Sequence, residues 1–360
     1  KFGTYAIAAS GLITNKDTLA EGLLRQGVSF SEMAGGGVNP VELVARLINR
    51  GQTLLDGIVN MQKLIEGSLC LLILKDDGIY AARDLCGRFS LVVGGNGKKG
   101  EYVIATEASA LQNLGYDVMM YPGPGEILKL SRSGIKQLRA PSAEKKVCAF
   151  LWIYTGEPSS TYEGKSVEIA RECCGRALAR KDRVKADFVT GIPDSGIGHA
   201  VGYAQESGIP YKRPLVKYTP GYGRSYTPPS QEIRDLVATM KIIAVREVIR
   251  GNRMVVCDDS IVRGTQLKNF TIKKLWDNGA KEIHLRVACP PLMYPCIYGS
   301  STRTKGELAA RRAIRTLCGK DPESIAPYLN AKSKAYREMV EWIRNDLNVT
   351  TISSLSEVLA

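Results

Sequence analysis

The segment of residues 255–265 constrains the fold of this chain more than any other. An apolar run there ends in two adjacent carboxylates, Asp258 and Asp259, and a loop of small and hydroxyl residues follows. Residues 266–278 are amphipathic. This order predicts a buried strand, a turn and a helix. Ligands of α/β sheets bind at the carboxyl ends of strands, and a helix start offers backbone N–H groups and a positive dipole end to a phosphate.

The two carboxylates indicate what else this segment can hold. Adjacent carboxylates can accept hydrogen bonds from the hydroxyls of a ribose, and they can help to bind a hard cation such as Mg²⁺. One short segment can therefore bind both the sugar and the phosphate of a sugar phosphate. An ordinary buried strand followed by an acidic turn is the alternative interpretation.

A second loop of the same kind lies upstream, at residues 191–198. It is rich in Gly, follows a predicted strand at residues 186–192 and opens a predicted helix at residues 197–206. Backbone N–H groups can approach an anion closely where side chains are this small. Pro-Asp-Ser-Gly is by itself a common turn, but the presence of both loops in this order favours a pair of phosphate loops.

Two halves with different patterns follow one another along the 360 residues, a length sufficient for two domains. In residues 1–143, short apolar runs and Gly-rich turns predict a mainly antiparallel sheet. In residues 144–360, strands alternate with helices, which predicts an α/β domain with a doubly wound, mostly parallel sheet. In the first half we predict strands at residues 5–9, 71–74, 90–93 and 102–105, helices at 41–49 and 57–65, and a linker at 131–146. In the second half we predict strands at residues 186–192, 254–257 and 283–288, and helices at 166–180, 197–206, 265–276 and 305–317.

Residues 255–265 resemble the phosphoribosylpyrophosphate (PRPP) signature of type I phosphoribosyltransferases. Their amino-acid sequence is similar to that of the glutamine PRPP amidotransferase family. The resemblance covers nearly the whole chain and is strongest over residues 147–300. It implies a partial glutaminase domain of the N-terminal-nucleophile-hydrolase type (α+β), followed by a type I phosphoribosyltransferase domain (α/β). The residues that it implies for PRPP binding are Asp194, Ser195, Gly196, Asp258, Asp259, Ser260, Ile261, Val262, Arg263, Gly264 and Thr265, with Mg²⁺ held at Asp258 and Asp259.

Residues 215–230 lie between the two phosphate loops, are rich in Gly, Pro and Tyr, and carry Lys217 and Arg224. A basic loop that closes over a site can exclude water and stabilise a departing diphosphate. The family's catalytic loop is similar, with a spacing from Lys to Arg that is one residue shorter. The resemblance therefore implies catalytic roles for Lys217 and Arg224; a surface loop without a catalytic role is the alternative.

The nine cysteines are scattered, which argues against a disulfide framework in a chain of this size. Some members of the family carry a [4Fe–4S] cluster with four cysteine ligands, and Cys148 and Cys296 match two of those positions. Two thiolates cannot complete such a site. Either the tail that carries the other two is missing or the cluster is absent; buried cysteines acting as small apolar residues are the alternative interpretation.

The first half resembles the family's glutaminase domain in several segments but not at its catalytic positions. The family's nucleophile is an amino-terminal Cys, whereas this sequence starts at Lys1. The family's oxyanion segment, His-Asn-Gly-Asn, aligns with residues 9–12, where Ser10 replaces the Asn and only Gly11 is kept. The Asp that binds glutamine falls at Pro40, and Glu42 alone matches nearby. Because these groups carry the chemistry of the reaction, we expect a degenerate scaffold that does not hydrolyse glutamine.

The implied reaction is displacement of diphosphate from PRPP by ammonia, which the family draws from glutamine, in the first step of purine synthesis. Implied partners are purine nucleotides as feedback inhibitors and further copies of the chain, in a dimer or tetramer. No apolar run reaches the ~18 residues that span a bilayer, so we expect a cytoplasmic protein without a membrane partner.

One rival hypothesis is an ammonia- or amine-using phosphoribosyltransferase outside purine synthesis. The other rival is not an enzyme but a PRPP-sensing regulator. The formal net charge of +13 favours it, whereas Lys217 and Arg224 favour an enzyme, because a sensor does not need to stabilise a departing diphosphate. Lys and Arg are spread along the chain rather than clustered, so nucleic acid is not an expected partner.

Overall fold

The computed structural model describes residues 1–34, 37–96, 100–218, 240, 242–298 and 304–359. The described residues form two compact units. The first contains Lys1–Leu151, Glu157–Ser166 and a short stretch that starts at Cys296. The second contains the described residues of Trp152–Gly156, of Val167–Pro295 and of the C-terminal part of the chain.

The first unit is built from antiparallel strands. Its strands are β1 (Ala6–Ile13), β2 (Met33–Ala34), β3 (Gly37–Val38), β4 (Gly67–Lys75), β5 (Gly78–Ala82), β6 (Val92–Asn96), β7 (Glu101–Ala105), β8 (Asp117–Met120), β9 (Ile127–Ser131), β10 (Gly134–Arg139), β11 (Thr161–Tyr162) and β12 (Lys165–Ser166). Its helices are α1 (Lys16–Leu24), α2 (Pro40–Ile48), α3 (Leu54–Leu64) and α4 (Ala108–Asn113). The larger sheet has the order β1-β4-β5-β9-β10, and the smaller has the order β7-β6-β8.

The larger sheet is covered on both faces, and the alternation of β4 shows how. Leu71 and Ile73 belong to a buried cluster that includes Ile48 of α2 and Ile58 of α3. Cys70 belongs to a second cluster, which includes Val93 of the smaller sheet. Because successive side chains of a strand point to opposite faces, β4 is apolar almost throughout.

The first unit extends beyond the predicted boundary between residues 143 and 144. The β11–β12 hairpin belongs to it, because Tyr162 is buried and its hydroxyl donates to the Glu107 carboxylate at 2.7 Å. Glu163 pairs with the fully buried Arg83 at 2.7 Å. The predicted linker at residues 131–146 is also wrong in part, because β10 lies inside it and pairs with β9.

The second unit alternates strands and helices, as predicted for this half of the chain. Its strands are β13 (Phe188–Gly191), β14 (Leu215–Lys217), β15 (Ile242–Ala244), β16 (Arg253–Asp258), β17 (Glu282–Val287) and β18 (Thr351–Ser354). Its helices are α5 (Val167–Arg180), α6 (Ile197–Ser207), α7 (Arg246–Ile249), α8 (Lys273–Asp277), α9 (Ala309–Cys318), α10 (Lys334–Leu347) and α11 (Leu355–Leu359). The segment Leu267–Ile272 is a π-helix that runs directly into α8.

A four-stranded parallel sheet of order β13-β16-β17-β18 forms the centre of this unit. Met254 and Val256 of β16 face one buried cluster, and Val255 and Cys257 face another on the opposite side. A strand that is covered on both faces is apolar throughout rather than alternating. This explains why the apolar run before Asp258 predicted a buried strand.

The sheet has a topological switch point between β13 and β16. Tyr211 forms a parallel bridge to Val189 on the outer side of β13. In chain order the sheet therefore reads 2-1-3-4-5, with the chain turning to one side after β13 and to the other side from β16 onward. In open α/β sheets of this order, ligands bind in the crevice at the carboxyl ends of the two strands that flank the switch point.

Candidate ribose and phosphate site

Both predicted phosphate loops lie at this switch point. β13 ends at Gly191 and the first loop leads into α6, while β16 ends at Asp258 and the second loop leads into the helix that starts at Thr265. The two loops are held together by their backbones, because Ile192 N–H donates to the Cys257 carbonyl at 3.0 Å. A Cβ on Gly196 would lie 2.1 Å from that carbonyl oxygen, so only glycine fits there.

Asp258 and Asp259 form a buried acidic pair in the crevice. Oδ1 of Asp258 accepts hydrogen bonds from the Ser195 hydroxyl and from Asp259 N–H, each at 2.9 Å. The Ser260 hydroxyl donates to the Asp259 carboxylate. The bond from Ser195 joins the first phosphate loop to the acidic pair of the second.

The acidic pair carries more negative charge than its surroundings neutralise. Burial raises the pKa of Asp258 well above its usual range, and the charge of Asp259 raises it further, against the lowering effect of the Ser195 hydrogen bond. Burial also raises the pKa of Asp259, although its hydrogen bonds to Ser260 and Ser195 oppose the rise. A cation or a set of hydroxyl donors in the crevice would relieve this unfavourable burial.

The backbone of both aspartates is fixed by the neighbouring strand. Ala288 N–H donates to the Asp258 carbonyl at 3.0 Å, and Cys289 N–H donates to the Asp259 carbonyl at 2.8 Å. The parallel pairing of β16 with β17 thus continues past the last paired residue of each strand. The carboxylates are therefore presented from a fixed backbone rather than from a loop.

The second phosphate loop turns sharply at Gly264, whose φ of +77° favours glycine. The Val262 carbonyl accepts from Ala309 N–H at 2.8 Å, and Ile261 packs against the core of the unit. The Arg263 guanidinium pairs with Glu307 at 2.6 Å. Both side chains of this pair are largely exposed, so Arg263 can exchange Glu307 for an anion, and the backbone N–H groups of the loop and the Thr265 hydroxyl are further donors that an anion could use.

Asp194 and Lys217 come together beside the first loop. Lys217, the last residue of β14, donates from Nζ to Oδ2 of Asp194 at 2.7 Å. Both side chains are largely exposed, so this ion pair adds little stability and can exchange partners readily. The other predicted catalytic residue, Arg224, lies outside the described residues.

The sequence did not single out Arg171, which supports the site from α5. Its buried guanidinium donates to the carbonyls of Trp152, Tyr154 and Gly156. Its positive charge also opposes the rise that burial causes in the pKa of Asp259. An arginine in the middle of an amphipathic helix gives no sequence signal for this position, because its partners are backbone carbonyls of a distant segment.

Cys148 and Cys296 do not form a cluster site with the residues that the structure describes. Cys148 is half-buried, Cys296 is exposed, and the Arg88 guanidinium lies 3.8 Å from the Cys296 sulfur. No group of three or more His, Cys, Asp or Glu side chains able to hold a metal occurs in the described part of the chain. The described cysteines therefore do not fit a cluster with four thiolate ligands.

The positions that align with the family's glutamine-binding residues have other partners in the first unit. Gly11 lies in β1, opposite Leu69 of β4, and Pro40 is the first residue of α2. The Glu42 carboxylate accepts from Ser31 N–H and Glu32 N–H and pairs with Arg46. The Ser31 N–H bond is the largest of the effects that lower the pKa of Glu42 to about 2.

The helices of the described residues are all too short or too polar to cross a membrane.

Fold and site together place the second unit among doubly wound α/β domains, in which the ligand crevice lies at the topological switch point. The amidophosphoribosyltransferase of Bacillus subtilis is 36% identical over 311 residues, which are 86% of this chain and 63% of the relative. The chloroplastic enzyme of Vigna aconitifolia is 34% identical over 340 residues, 92% of this chain and 68% of the relative. A solved glutamine PRPP amidotransferase of B. subtilis, in complex with ADP and GMP, superposes with a TM-score of 0.79 at 33% identity and covers 98% of this chain and 70% of its own.

The chain belongs to the amidophosphoribosyltransferase family. It spans about three fifths of the length of the first curated bacterial relatives that it matches. No protein-family model matches it.

Proposed function

We propose that the chain transfers the phosphoribosyl group of PRPP to ammonia, forming 5-phosphoribosylamine and diphosphate as the first step of purine synthesis. The single observation that carries this proposal is the buried Asp258–Asp259 pair, bonded to Ser195 across the switch point. The names of the relatives support it.

The acidic pair and the second loop would hold the ribose 5-phosphate part of the substrate. Asp258 and Asp259 would accept hydrogen bonds from the ribose hydroxyls, which would replace the water lost on burial. The 5-phosphate would bind at residues 260–265, where a loop leads into a helix start. Ser195, Gly196 and the backbone of the first loop would hold the diphosphate.

The acidic pair also fits Mg²⁺. This ion keeps several waters and takes one or two carboxylates together with substrate phosphates, so two aspartates suffice when PRPP supplies the remaining oxygens. Bound there, Mg²⁺ would neutralise charge on the diphosphate as it leaves. The raised pKa values of both aspartates support a cation at this position.

In the reaction, the bond between C1 and the diphosphate oxygen breaks, and its electron pair leaves with the diphosphate. The nitrogen lone pair of ammonia forms the new bond to C1, and the nitrogen then loses a proton. Lys217 would move from Asp194 to the leaving oxygens, where its charge counts most in the transition state. Arg224 is proposed for the same role from the family resemblance.

We propose that the first unit, of the N-terminal-nucleophile-hydrolase type, is a scaffold that does not use glutamine. Ser10 and Pro40 replace two family residues, and Glu42 is bonded to groups of its own unit. A glutamine molecule would have to displace those partners to reach the Glu42 carboxylate.

Purine nucleotides are proposed as regulators, since the B. subtilis relative was solved with ADP and GMP. The proposed assembly is a homodimer or homotetramer.

The test measures PRPP binding by calorimetry with Mg²⁺, and diphosphate release with ammonium at high pH or with glutamine at neutral pH. We expect PRPP binding, release with ammonium and no release with glutamine. The variant carrying both Asp258→Asn and Asp259→Asn should lose PRPP binding, whereas Asp277→Asn, which removes an exposed carboxylate of α8, should not.

Three outcomes would count against parts of this proposal. Unchanged PRPP affinity in the double variant would refute the site. Glutamine-dependent release would refute the assignment of the first unit. Tight PRPP binding without release from either donor would favour the PRPP-sensing regulator.

A further inference from the structure

A cavity of about 280 Å³ lies beside the first phosphate loop. Gly191 and Asp194 line it from the loop, and Tyr211, Arg213, Leu215 and Lys217 line it from the segment that follows α6. All of these residues belong to the second unit. The cavity opens directly onto the loop proposed to hold the diphosphate.

The lining residues that follow α6 share one side of an extended segment. Residues 211, 213, 215 and 217 all line the cavity, which is the period of two expected for extended backbone. The segment is anchored at both ends, because Lys212 N–H donates to the Val189 carbonyl at 2.9 Å and β14 pairs with β15. Arg213 is therefore directed to the cavity by backbone geometry.

Arg213 is a cation of this cavity for which the described residues provide no anionic partner. The Asp194 carboxylate is already paired with Lys217 at 2.7 Å. Within the part of the chain that the structure describes, Arg213 forms no hydrogen bond or ion pair. The charge of Arg213 acts on Tyr211, which also lines the cavity. Burial raises the pKa of Tyr211, and the positive charge of Arg213 opposes that rise.

We propose that Arg213 binds the diphosphate group of the substrate from this cavity, as a second cation beside Lys217. The inference rests on the proposed function and adds to it a binding residue that the two phosphate loops did not indicate. A guanidinium presents several N–H donors in a plane and binds phosphate oxygens in pairs, with a charge that is permanent at all working pH values. Before the substrate binds, Asp194 holds Lys217 beside this cavity at 2.7 Å, so both cations line the same side of the first loop.

The test uses the full chain and three probes: PRPP, inorganic diphosphate and ribose 5-phosphate, each titrated calorimetrically with Mg²⁺. Arg213→Gln should weaken the binding of PRPP and of diphosphate about 10- to 100-fold, the loss expected for one charge-assisted contact. Its affinity for ribose 5-phosphate should stay within twofold of the wild type. Arg213→Lys should keep part of the affinity, because the charge remains while the paired donors are lost.

Lys212→Gln is the matched control. It removes the same charge from the next residue of the same segment, whose side chain points away from the cavity and lies over the Phe188 ring. It should leave the binding of all three probes unchanged. Equal losses in Lys212→Gln and Arg213→Gln would show a general effect of charge and overturn the inference.

Two further outcomes separate this inference from the proposed function. If the wild type binds PRPP and diphosphate and Arg213→Gln binds both equally well, the inference fails and the proposed function stands. If the wild type binds neither PRPP nor diphosphate, the inference and the proposed function both fail. ADP is titrated separately as a fourth ligand: if Arg213→Gln weakens its binding while leaving diphosphate binding intact, the cavity serves the phosphates of another ligand and the inference is overturned.

Discussion

Asp258→Asn should separate the stability of this protein from its ligand affinity. In the wild type, Oδ1 of Asp258 accepts from the Ser195 hydroxyl and from Asp259 N–H, both at 2.9 Å. The substitution keeps the shape of the side chain, and the amide oxygen of the Asn can accept the same two hydrogen bonds. It removes a buried charge that lies next to another carboxylate. We therefore expect the variant without ligand to be more stable than the wild type, and its affinity for PRPP to be lower.

The magnitudes follow from the buried charge. Each unit by which the native environment raises a pKa corresponds to ~1.4 kcal/mol, so a gain on the order of 1 kcal/mol is expected at neutral pH. That gain raises the midpoint of thermal unfolding by about 1–2 °C in a chain of 360 residues. A lost charged contact to the ligand costs ~1.5–3 kcal/mol, which weakens PRPP binding roughly 10- to 150-fold.

The sign of the pH dependence gives a second check. The native Asp258 carboxyl keeps its proton to higher pH than in the unfolded chain, where its pKa is near 3.8. The wild type therefore loses stability as pH rises from about 3.8 through the raised native pKa. The Asp258→Asn variant does not lose it, because the amide does not titrate. The advantage of Asp258→Asn should be largest at neutral pH and should vanish in acid.

Asp187→Asn provides the opposite case. Asp187 accepts hydrogen bonds from the Arg253 side chain and backbone, which lower its pKa to about 2. Its stabilising effect is present above the unfolded pKa and is lost as pH falls toward 2, so this variant should be less stable than the wild type at neutral pH. Both variants are compared with the wild type by thermal melts from pH 3 to pH 8. The reasoning about Asp258 would be refuted by a melting midpoint of Asp258→Asn below that of the wild type at pH 7.5, or by a difference between these two proteins that does not change with pH.

Three further predictions concern the same unit. Lys217→Ala should lower kcat more than PRPP affinity, and equal losses in steady-state kinetics and calorimetry would contradict a role in the transition state. Gly196→Ala should destabilise the protein by about 1–3 kcal/mol in urea unfolding, because its Cβ would lie 2.1 Å from the Cys257 carbonyl oxygen. The control is Gly22→Ala on α1, where the added Cβ meets open space, and it should be neutral or slightly stabilising. Burial lowers the pKa of His199 to about 4, so wild-type stability should fall as pH drops from 6.5 towards 4, by up to ~1.4 kcal/mol per pH unit from this residue. His199→Gln should lack that part of the slope, and identical pH profiles would contradict it.

The elements with a strong hydrophobic pattern could be predicted from the sequence, and those defined by distant pairing could not. The predicted strand at residues 254–257 and the predicted helix at residues 265–276 are confirmed, because burial on both faces and a period of 3.6 leave a local signal. β10 was taken for linker because its exposed Lys136 and Gln137 hide the pairing with β9.

The same distinction applies to the site. Asp194, Ser195, Asp258 and Asp259 were indicated by the sequence as candidates, because each follows an apolar run and precedes a helix. Arg171 and Arg213 were not, because the first binds carbonyls far away in the chain and the second gains its position from the bridge between Tyr211 and Val189. Neither contact has a local pattern.

The backbone bonds that fix the acidic pair also make it observable. The amide hydrogens of Ile192, Ala288 and Cys289 are bonded to the carbonyls of Cys257, Asp258 and Asp259. Each exchanges with deuterated solvent only when its own bond opens, and exchange rates of such amides report the free energy of local opening. These three amides are therefore built-in probes of the crevice, and their protection measures how rigidly the sheet holds its carboxylates before and after a ligand arrives.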